Sequence, residues 1–560
     1  MQTKFAYRAL TAAVTLACAA GASALPMASF VENAGQVTVR ITGSSAHDKG
    51  LNQLMRLQGA GNPAMCVPGT LDIYHTPDNN NRLFFCTGGA QSGAAGLRLA
   101  VFKRSNGGSG TGVGTLVRGT NVVNGGVLLA DGTKVQAFQL DTAAAAAAVG
   151  VANVLNCANP VANFMGCTDH TTAANGNTVL IPPNVAGADS YADVGISDEE
   201  STVFTSVFAP ALGAGEIGAI PPKGISGVIF GVPVTKGIFQ RLQVLQFDPA
   251  GLNANCNPNV AGYNVAAPAP ANIVGNTEAC MPSMTKEQVQ GLFTQQVPDW
   301  SLFSSSYAGG PASLDLATAP APYNLAMADS GVYIERRVNS SGTEHGAEIQ
   351  FMQQGCVNGS NLMATNATGG VSGISGLKFA IENSSGGAIP TNLTAHDVAL
   401  RGAVGVLTSE TVAAAGDRWR FVKINGVAPT VLNTVKGTYE YFYEGTMQYR
   451  TAAVGPVGWA PALAGGQKAV ADAIALSIGS PNVLNDLDSS FGQLFGFAGL
   501  VGNAVTGAAS APVPPLVAIA NGSGNPSDVL DKPIALATRG AGTLNACLSP
   551  VTVNVSQPAP

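Results

Sequence analysis

The sequence predicts an α/β protein in which strands and helices alternate along most of the chain. Short runs of alternating apolar residues, typical of strands, precede small polar turns and then residues in helical spacing. With 560 residues the chain is too long for one small core, so two or more lobes are expected. No internal repeat stands out.

The composition is that of a loop-rich, folded, exported protein. The chain contains 69 Gly and 33 Pro, and 46% of its residues are hydrophobic. Its formal charge of −6 argues against nucleic acid as a partner, because nucleic acid favours a strongly basic face. An anionic small molecule is still compatible with this charge, since one Arg and a few backbone amides set the field of a local site.

The first 24 residues have the features of a secretory signal. Two basic residues precede an apolar run over 9–20, and Ala22-Ser23-Ala24 is a small-residue cleavage site. A lipoprotein processed at Cys18 would lack the usual bulky aliphatic residue three positions earlier. No later apolar run is long enough to span a bilayer. We therefore expect a periplasmic or secreted protein without a transmembrane segment.

Eight cysteines follow this leader, and an even count in an exported chain is typical of disulfides. Zinc is disfavoured, because there is no Cys-x-x-Cys and the five histidines are scattered. Eight cysteines allow 105 connectivities. Pairing of nearest neighbours gives Cys66–Cys86, Cys157–Cys167, Cys256–Cys280 and, by remainder, Cys356–Cys547. The last pair would tie distant parts of the chain and limit hinge opening.

The predicted elements follow from these patterns in chain order. Gln36 to Thr42 alternates as a strand, whereas 227–235 is a continuous apolar run of the kind that crosses between lobes. We interpret 60–93 and 114–189 as insertions. Strands are expected at 36–42, 97–102, 191–196, 227–235, 332–337, 402–407, 438–442 and 551–555, and helices at 52–57, 286–293 and 344–354.

The stretch from 332 to 354 has the features of an anion site. Its strand ends in Arg336-Arg337, and Ser341-Gly342-Thr343-Glu344 fits a capping box at the start of a helix. Backbone N–H groups at a helix N-terminus are unpaired and favour a bound anion. An Arg just before the turn adds a bidentate grip on an oxyanion. The alternative is an ordinary capped helix that follows two surface arginines.

Polar turns of this kind follow four strands in a defined order, at 43–48, 105–113, 195–198 and 337–343. The third reads Gly-Ile-Ser-Asp, and the fourth, with Arg336, reads Arg-Arg-Val-Asn-Ser-Ser-Gly-Thr. The Gly/Ser-rich second turn meets neither Walker nor Rossmann spacing. In this order the chain resembles the phosphate-binding protein of bacterial phosphate ABC transporters, a type II periplasmic binding protein. The resemblance covers most of residues 37–450.

This resemblance implies a two-lobe α/β fold, each lobe a mixed sheet flanked by helices, with disulfide-stapled insertions. It places the signal peptide at 1–24, lobe 1 at 25–235, lobe 2 at 236–439, and a return to lobe 1 with a C-terminal extension at 440–560. It also implies a non-enzymatic, cofactor-free solute-binding protein that captures inorganic phosphate between its lobes. The expected partner is an ABC transporter permease or another envelope protein.

The resemblance also supplies the candidate ligand residues. Arg337 would provide the charged fork, and Asp198 would accept the proton of hydrogen phosphate while repelling sulfate, which has none to donate. Without the family context, the alternative for Asp198 is a turn or cap carboxylate. The phosphate ligands fall on Ser109, Asp198, Arg337, Ser341, Gly342 and Thr343, and Ser45, Ala46 and His47 are candidate contacts from the first turn.

Two positions depart from the family pattern. His47-Asp48 stands where the family has Thr-Phe, which removes a hydroxyl and adds a carboxylate. A solvated loop is the expectation for both residues, and a position in the cleft would change ligand affinity or pH dependence. Asn339 replaces the acidic residue that buttresses the Arg, so Arg337 is expected to lose a partner charge.

Two other functions remain open at this point. A secreted scaffold on the same fold is suggested by the insertions and by the Gly- and Ala-rich composition. A hydrolase such as a phosphatase is disfavoured, because no nucleophile elbow, metal-ligand cluster or His paired by motif with a Ser is visible.

Overall fold

The fold is taken from a computed structural model of the chain. The model describes residues 34–56, 65–75, 80–105, 107–118, 139–140, 168–170, 180–181, 192–208, 211–247, 256, 258, 277–303, 327–353, 380–383, 386–413, 417–454, 461–480, 483–484, 487–488, 492–493, 495–502, 537–538 and 551–552. The predicted signal peptide and the pairs Cys157–Cys167 and Cys356–Cys547 lie outside the described residues.

Strands and helices alternate through the described residues. The strands are β1 (Gln36–Gly43), β2 (Asp72–His75), β3 (Asn81–Thr87), β4 (Arg98–Arg104), β5 (Gln139–Leu140), β6 (Thr168–His170), β7 (Leu180–Ile181), β8 (Val194–Ser197), β9 (Lys223–Thr235), β10 (Ser283–Met284), β11 (Asp329–Arg337), β12 (Ala380–Asn383), β13 (Arg401–Gly405), β14 (Leu407–Thr408), β15 (Trp419–Ile424), β16 (Phe442–Tyr449), β17 (Gly492–Gln493), β18 (Gly496–Phe497), β19 (Leu500–Val501), β20 (Ala537–Thr538) and β21 (Val551–Thr552). The α-helices are α1 (Asp48–Arg56), α2 (Gly108–Val117), α3 (Ala214–Gly218), α4 (Lys236–Phe247), α5 (Lys286–Phe293), α6 (Gly342–Met352), α7 (Ala388–Val398), α8 (Val431–Val435) and α9 (Gly465–Ser477), with short 3-10 helices at Ser201–Val207, Glu278–Cys280 and Trp300–Leu302.

One mixed sheet runs through the molecule in the order β12-β11-β13-β9-β16-β8-β1-β4-β3-β2-β6. Strand β1 is parallel to both β4 and β8, whereas β16 is antiparallel to β8 and β9. Parallel neighbours need crossover connections, and helices such as α1 and α2 supply them. The predicted α/β class, a mixed sheet flanked by helices, is therefore confirmed.

The long strand β9 joins two parts of this sheet. Its first residues, Lys223–Ile229, pair with β16, and its last residues, Val232–Thr235, pair with β15. We call the strands from β16 to β6 the first half and the group β10, β11, β12, β13 and β15 the second half. The apolar run predicted to cross between lobes is thus shared by both halves.

The insertion expected at 60–93 contributes to the sheet itself. Strands β2 and β3 form a hairpin, and β3 continues antiparallel onto β4. A disulfide joins Cys66 to Cys86 with Cα atoms 5.8 Å apart, and a second joins Cys256 to Cys280. These are two of the four pairs expected from the sequence. From the segment 114–189, β6 adds an edge strand beside β2.

The Gly/Ser-rich turn predicted at 105–113 is largely helical. Helix α2 begins at Gly108 although glycine disfavours helix interiors, because the bare backbone lets it lie directly on β1 and β8. A Cβ on Gly195 would come within 1.6 Å of the Gly112 carbonyl oxygen. Contacts distant in sequence therefore override the local preference. Helix α1 also begins four residues earlier than expected, at Asp48, and β16 begins at Phe442 rather than at 438.

Candidate functional site

The carboxyl ends of β1, β4, β8 and β11 meet at one place, where the two halves touch. The Gly110 N–H, in the first turn of α2, donates to the Ser340 carbonyl oxygen at 2.7 Å. A Cβ on Gly108 would lie 3.0 Å from the Cα of Ser341. The N-terminus of α2 from the first half thus lies against the N-terminus of α6 from the second.

Three of the predicted ligand residues are in direct contact here. The Asp198 N–H donates to Ser109 Oγ at 3.1 Å, so the Ser109 hydroxyl keeps its own proton for another acceptor. A Cβ on Gly342 would stand 2.5 Å from Ser109 Oγ and 2.7 Å from Asp198 Oδ2. Ser109 and Asp198 belong to the first half and Gly342 to the second. Only a residue without a side chain fits at position 342.

Arg337 brings a buried positive charge to this cluster. The residue is 4% exposed, and burial lowers the pKa of its guanidinium to about 10, opposed by the charges of Asp198 and Glu344. The side chain therefore stays charged at neutral pH. A Cβ on Gly386 would lie 3.2 Å from Arg337 Nη1, which places the guanidinium beside the N-terminal end of α7. Burial makes such a charge a strong attractant for an anion.

Helix α6 begins directly after Ser341, the predicted N-cap residue, but the prediction of a capping box is wrong. Ser341 occupies the N-cap position and its side chain makes no capping hydrogen bond. Glu344 does not reach back to Ser341, because one carboxylate oxygen accepts the Arg337 N–H at 2.9 Å and the other pairs with Arg336 at 2.7 Å. The first turn of α6 is therefore left without a side-chain cap.

Two backbone donors of this turn have no acceptor among the residues that the structure describes. The N–H groups of Gly342 and Thr343 make no hydrogen bond there, although both residues are buried. The carbonyl oxygens three residues earlier each have another partner, since Ser340 O accepts from Gly110 and Asn339 O lies 2.7 Å from His345 Nε2. Buried backbone donors are rarely left unpaired in proteins, so these two point to a bound acceptor.

A layer of buried charge lies beneath the site. Arg336 pairs with Glu344 and also donates to Asn339 Oδ1 at 2.8 Å. Asn339 therefore accepts a hydrogen bond from Arg336 and not from Arg337. The acidic partner that Arg337 was expected to lose is supplied by Glu344. Burial raises the pKa of Glu344 to about 7, against the lowering effect of Arg336.

The first turn contributes a different serine from the one expected. Ser45 is exposed, whereas Ser44 is buried and its hydroxyl donates to Asp198 Oδ1 while accepting the Ala46 N–H at 3.0 Å. The Ala46 amide is therefore used inside the turn. His47 is fully buried, with Nδ1 3.6 Å from Asp198 Oδ1. The same carboxylate oxygen thus faces both Ser44 and His47.

The expectation of a solvated loop at His47 and Asp48 is wrong. Asp48 is 9% exposed, pairs with Lys103 Nζ at 2.9 Å and accepts from Ser105 Oγ at 2.6 Å. Lys103 is 2% exposed and also donates to the carbonyl oxygens of Gly43 at 3.1 Å and Ser44 at 3.0 Å. Burial lowers the pKa of Lys103, opposed by Asp48. The added carboxylate is therefore neutralised within the first half.

Solved structures similar to this chain include receptors of phosphate transport. A protein assigned as a phosphate ABC transporter substrate-binding protein, solved with bound phosphate, from Clostridium perfringens is 12% identical over 55% of this chain and 79% of that one, with a TM-score of 0.29. An ABC-type phosphate transport receptor from Vibrio cholerae is 14% identical over 54% and 79%, with a TM-score of 0.26. PstS from Borrelia burgdorferi is 11% identical over 61% and 89%, with a TM-score of 0.25.

No protein family model matches the chain, and no curated protein matches it in sequence. In the part of the chain that the structure describes, no three His, Cys, Asp or Glu residues are grouped so as to hold a metal ion. No helix of that part is both long and apolar enough to cross a membrane. The chemistry of the site is therefore inferred from its own residues.

Sequence reasoning missed two residues that shape the site, Ser44 and Lys103. Ser44 lies in the first polar turn, at 43–48, from which the sequence predicts Ser45 as a contact instead. Because side chains alternate between faces in extended backbone, one residue decides which hydroxyl points inward. Lys103 follows the strand predicted at 97–102, whereas the structure extends this strand to Arg104 and buries Lys103. A buried Lys of this kind needs a carboxylate partner such as Asp48.

Proposed function

We propose that this protein is an exported solute-binding protein that captures inorganic phosphate between its two halves for uptake or sensing. The observation that carries the proposal is the pair of buried amides of Gly342 and Thr343, which have no acceptor among the described residues, in the turn that follows the buried Arg337. Amides at a helix N-terminus together with an Arg favour a small oxyanion. The likeness to phosphate-transport receptors agrees with this but does not carry it.

The acceptor in the site favours phosphate among the oxyanions. Ser44 occupies one oxygen of Asp198, and the other, Oδ2, lies next to Gly342. A carboxylate oxygen beside a bound oxyanion is tolerated only when the ligand donates a proton to it. Hydrogen phosphate has such a proton at neutral pH, and sulfate does not. The remaining ligand oxygens would take donors from Ser109, Gly342 and Thr343.

A scaffold without a ligand is the competing function, and one observation favours it. The two halves already touch directly, through the Gly110 N–H to Ser340 and the contact of Gly342 with Ser109. A scaffold protein whose two halves are permanently closed would show the same contacts. Such a protein would bind no ligand between its halves.

Calorimetric titration separates the two functions. Full-length processed protein, freed of phosphate by exhaustive dialysis and shown to be folded by circular dichroism, is titrated with phosphate and with sulfate. We expect heat with phosphate only. Arg337→Ala should weaken binding about 10-fold to 150-fold, because a hydrogen bond to a charged group contributes about 1.5–3 kcal/mol.

The matched control is Arg401→Ala. Arg401 is exposed at the start of β13, at the opposite end of the second half from Arg337. It should bind phosphate as the wild type does. Folded wild-type protein that gives no heat with phosphate would overturn the proposal and leave the scaffold.

A further inference from the structure

The phosphate proposal gives no role to His47, a buried side chain next to Asp198. Its ring is fully buried, and neither ring nitrogen has a hydrogen-bond partner among the described residues. The Nδ1 atom of His47 lies 3.6 Å from Asp198 Oδ1. A buried imidazole without hydrogen bonds is costly, so its retention next to the acceptor carboxylate calls for a role.

The backbone around His47 fixes the ring against this carboxylate. A Cβ on Gly445, in β16, would lie 2.1 Å from both Cε1 and Nε2 of the ring. The opposite side of the imidazole is therefore closed by main chain, and the ring cannot turn away from Asp198 without moving β16. The hydroxyl of Ser44 holds the same carboxylate from the first turn.

We propose that His47 sets how strictly the site demands a proton on its oxyanion. This inference rests on the proposed function. With His47 neutral, Asp198 is an anionic acceptor and rejects a ligand that has no proton. With His47 protonated, the imidazolium compensates Asp198 at 3.6 Å, and a fully ionised tetrahedral dianion such as sulfate becomes acceptable.

The other charged groups around Asp198 differ from His47 in how their charge depends on pH. Lys103, from β4, and Arg337, from β11, both act electrostatically on Asp198. Arg337, with a pKa of about 10, stays charged below pH 8 and so gives a constant background. Asp48, next to His47, is paired with Lys103. Strand β16 presents Gly445 to the ring, with buried Glu444 beside it in the chain. Histidine is the side chain that changes charge between about pH 5 and 8.

The test is the affinity for sulfate, which does not titrate in this range, measured by calorimetry from pH 8 to pH 5.5 on the full-length processed protein. Wild-type affinity for sulfate should rise about tenfold or more as the pH falls. An opposite charge within about 4–6 Å changes the pKa of a carboxyl group by about one unit or more, which corresponds to an interaction worth at least a factor of ten. His47→Gln and His47→Phe should bind sulfate weakly at every pH, without the rise in affinity that the wild type shows as the pH falls. His75→Phe, which changes a half-buried histidine at the end of β2, should keep the wild-type profile.

Each outcome decides one proposal. If the wild type binds phosphate at pH 8 but its sulfate affinity does not change with pH, or changes equally in His47→Gln, the role of His47 is overturned and the phosphate proposal stands. If the wild type binds neither anion at any pH, both fall. His47→Gln keeps the polarity of the site, so it covers the case in which His47→Phe fails to fold.

Discussion

Replacing Gly342 by Ala tests the contact between the two halves most directly. Gly342 does not have a positive φ, so Ala adopts the same backbone without strain. The added methyl would lie 2.5 Å from Ser109 Oγ and 2.6 Å from Asp198 Cβ, where ordinary contact begins at 3.4 Å. The effect of the substitution is therefore steric and confined to the site.

The size of the effect follows from this overlap. Forcing a methyl group into a packed region typically costs about 1–3 kcal/mol. If phosphate binds with the halves in this contact, the same free energy is lost from binding, which corresponds to a rise in Kd of about 5-fold to 150-fold. Fold stability should fall less than binding, because Ala in the first turn of α6 has a better helix propensity than Gly.

The assay is phosphate titration of Gly342→Ala beside Gly218→Ala, with a thermal melt of each. Gly218 ends α3, and a Cβ placed there meets nothing within 4 Å, so this variant should bind as the wild type does. A Gly342→Ala protein that binds phosphate within twofold of the wild type would refute the reasoning. Phosphate would then bind without the contact between Gly342 and Ser109.

Two further predictions concern the buried charges. Asp48→Asn removes the carboxylate that pairs with the buried Lys103 ammonium, so urea unfolding should show a loss of about 3–5 kcal/mol in unfolding free energy, partly recovered in the double variant with Lys103→Met. A loss below about 1 kcal/mol would contradict this prediction. Glu344 has a folded-state pKa raised to about 7 by burial, so its contribution to stability is present below its unfolded value and is lost as the pH rises through about 7. Glu344→Gln should remove this part of the pH dependence of the unfolding free energy between about pH 4.5 and 7, and an unchanged slope would count against it.

Features with local causes could be predicted from the sequence. Helix α5 lies at its predicted bounds, because Thr285 caps it and Gln288 completes a capping box that needs no distant partner. The family resemblance, carried by the order of polar turns after strands, also grouped Ser109, Asp198 and Gly342 in one site, and the structure brings these three residues into contact. Their role as phosphate ligands stays a prediction.

Features with distant causes could not be predicted. Helix α2 has a sequence that disfavours helix and forms because Gly112 lies on Gly195, more than 80 residues away in the chain. The pairing of Asp48 with Lys103 depends on which faces of α1 and β4 meet. The side chain of Glu344 pairs with Arg336 and accepts the Arg337 N–H instead of completing the expected capping box, an arrangement that depends on how the end of β11 lies against α6.

The position of β16 in the sheet has a consequence for how the chain acquires its fold. This strand lies between β8 and β9, yet it follows β9 by more than 200 residues. During synthesis the facing edges of β8 and β9 stay open until residue 449 has emerged, because Phe442–Tyr449 pairs with both. Pairing over such separations slows folding, and open edges invite aggregation. Because a late strand completes the central sheet, we expect this sheet to form only after most of the chain has been synthesised.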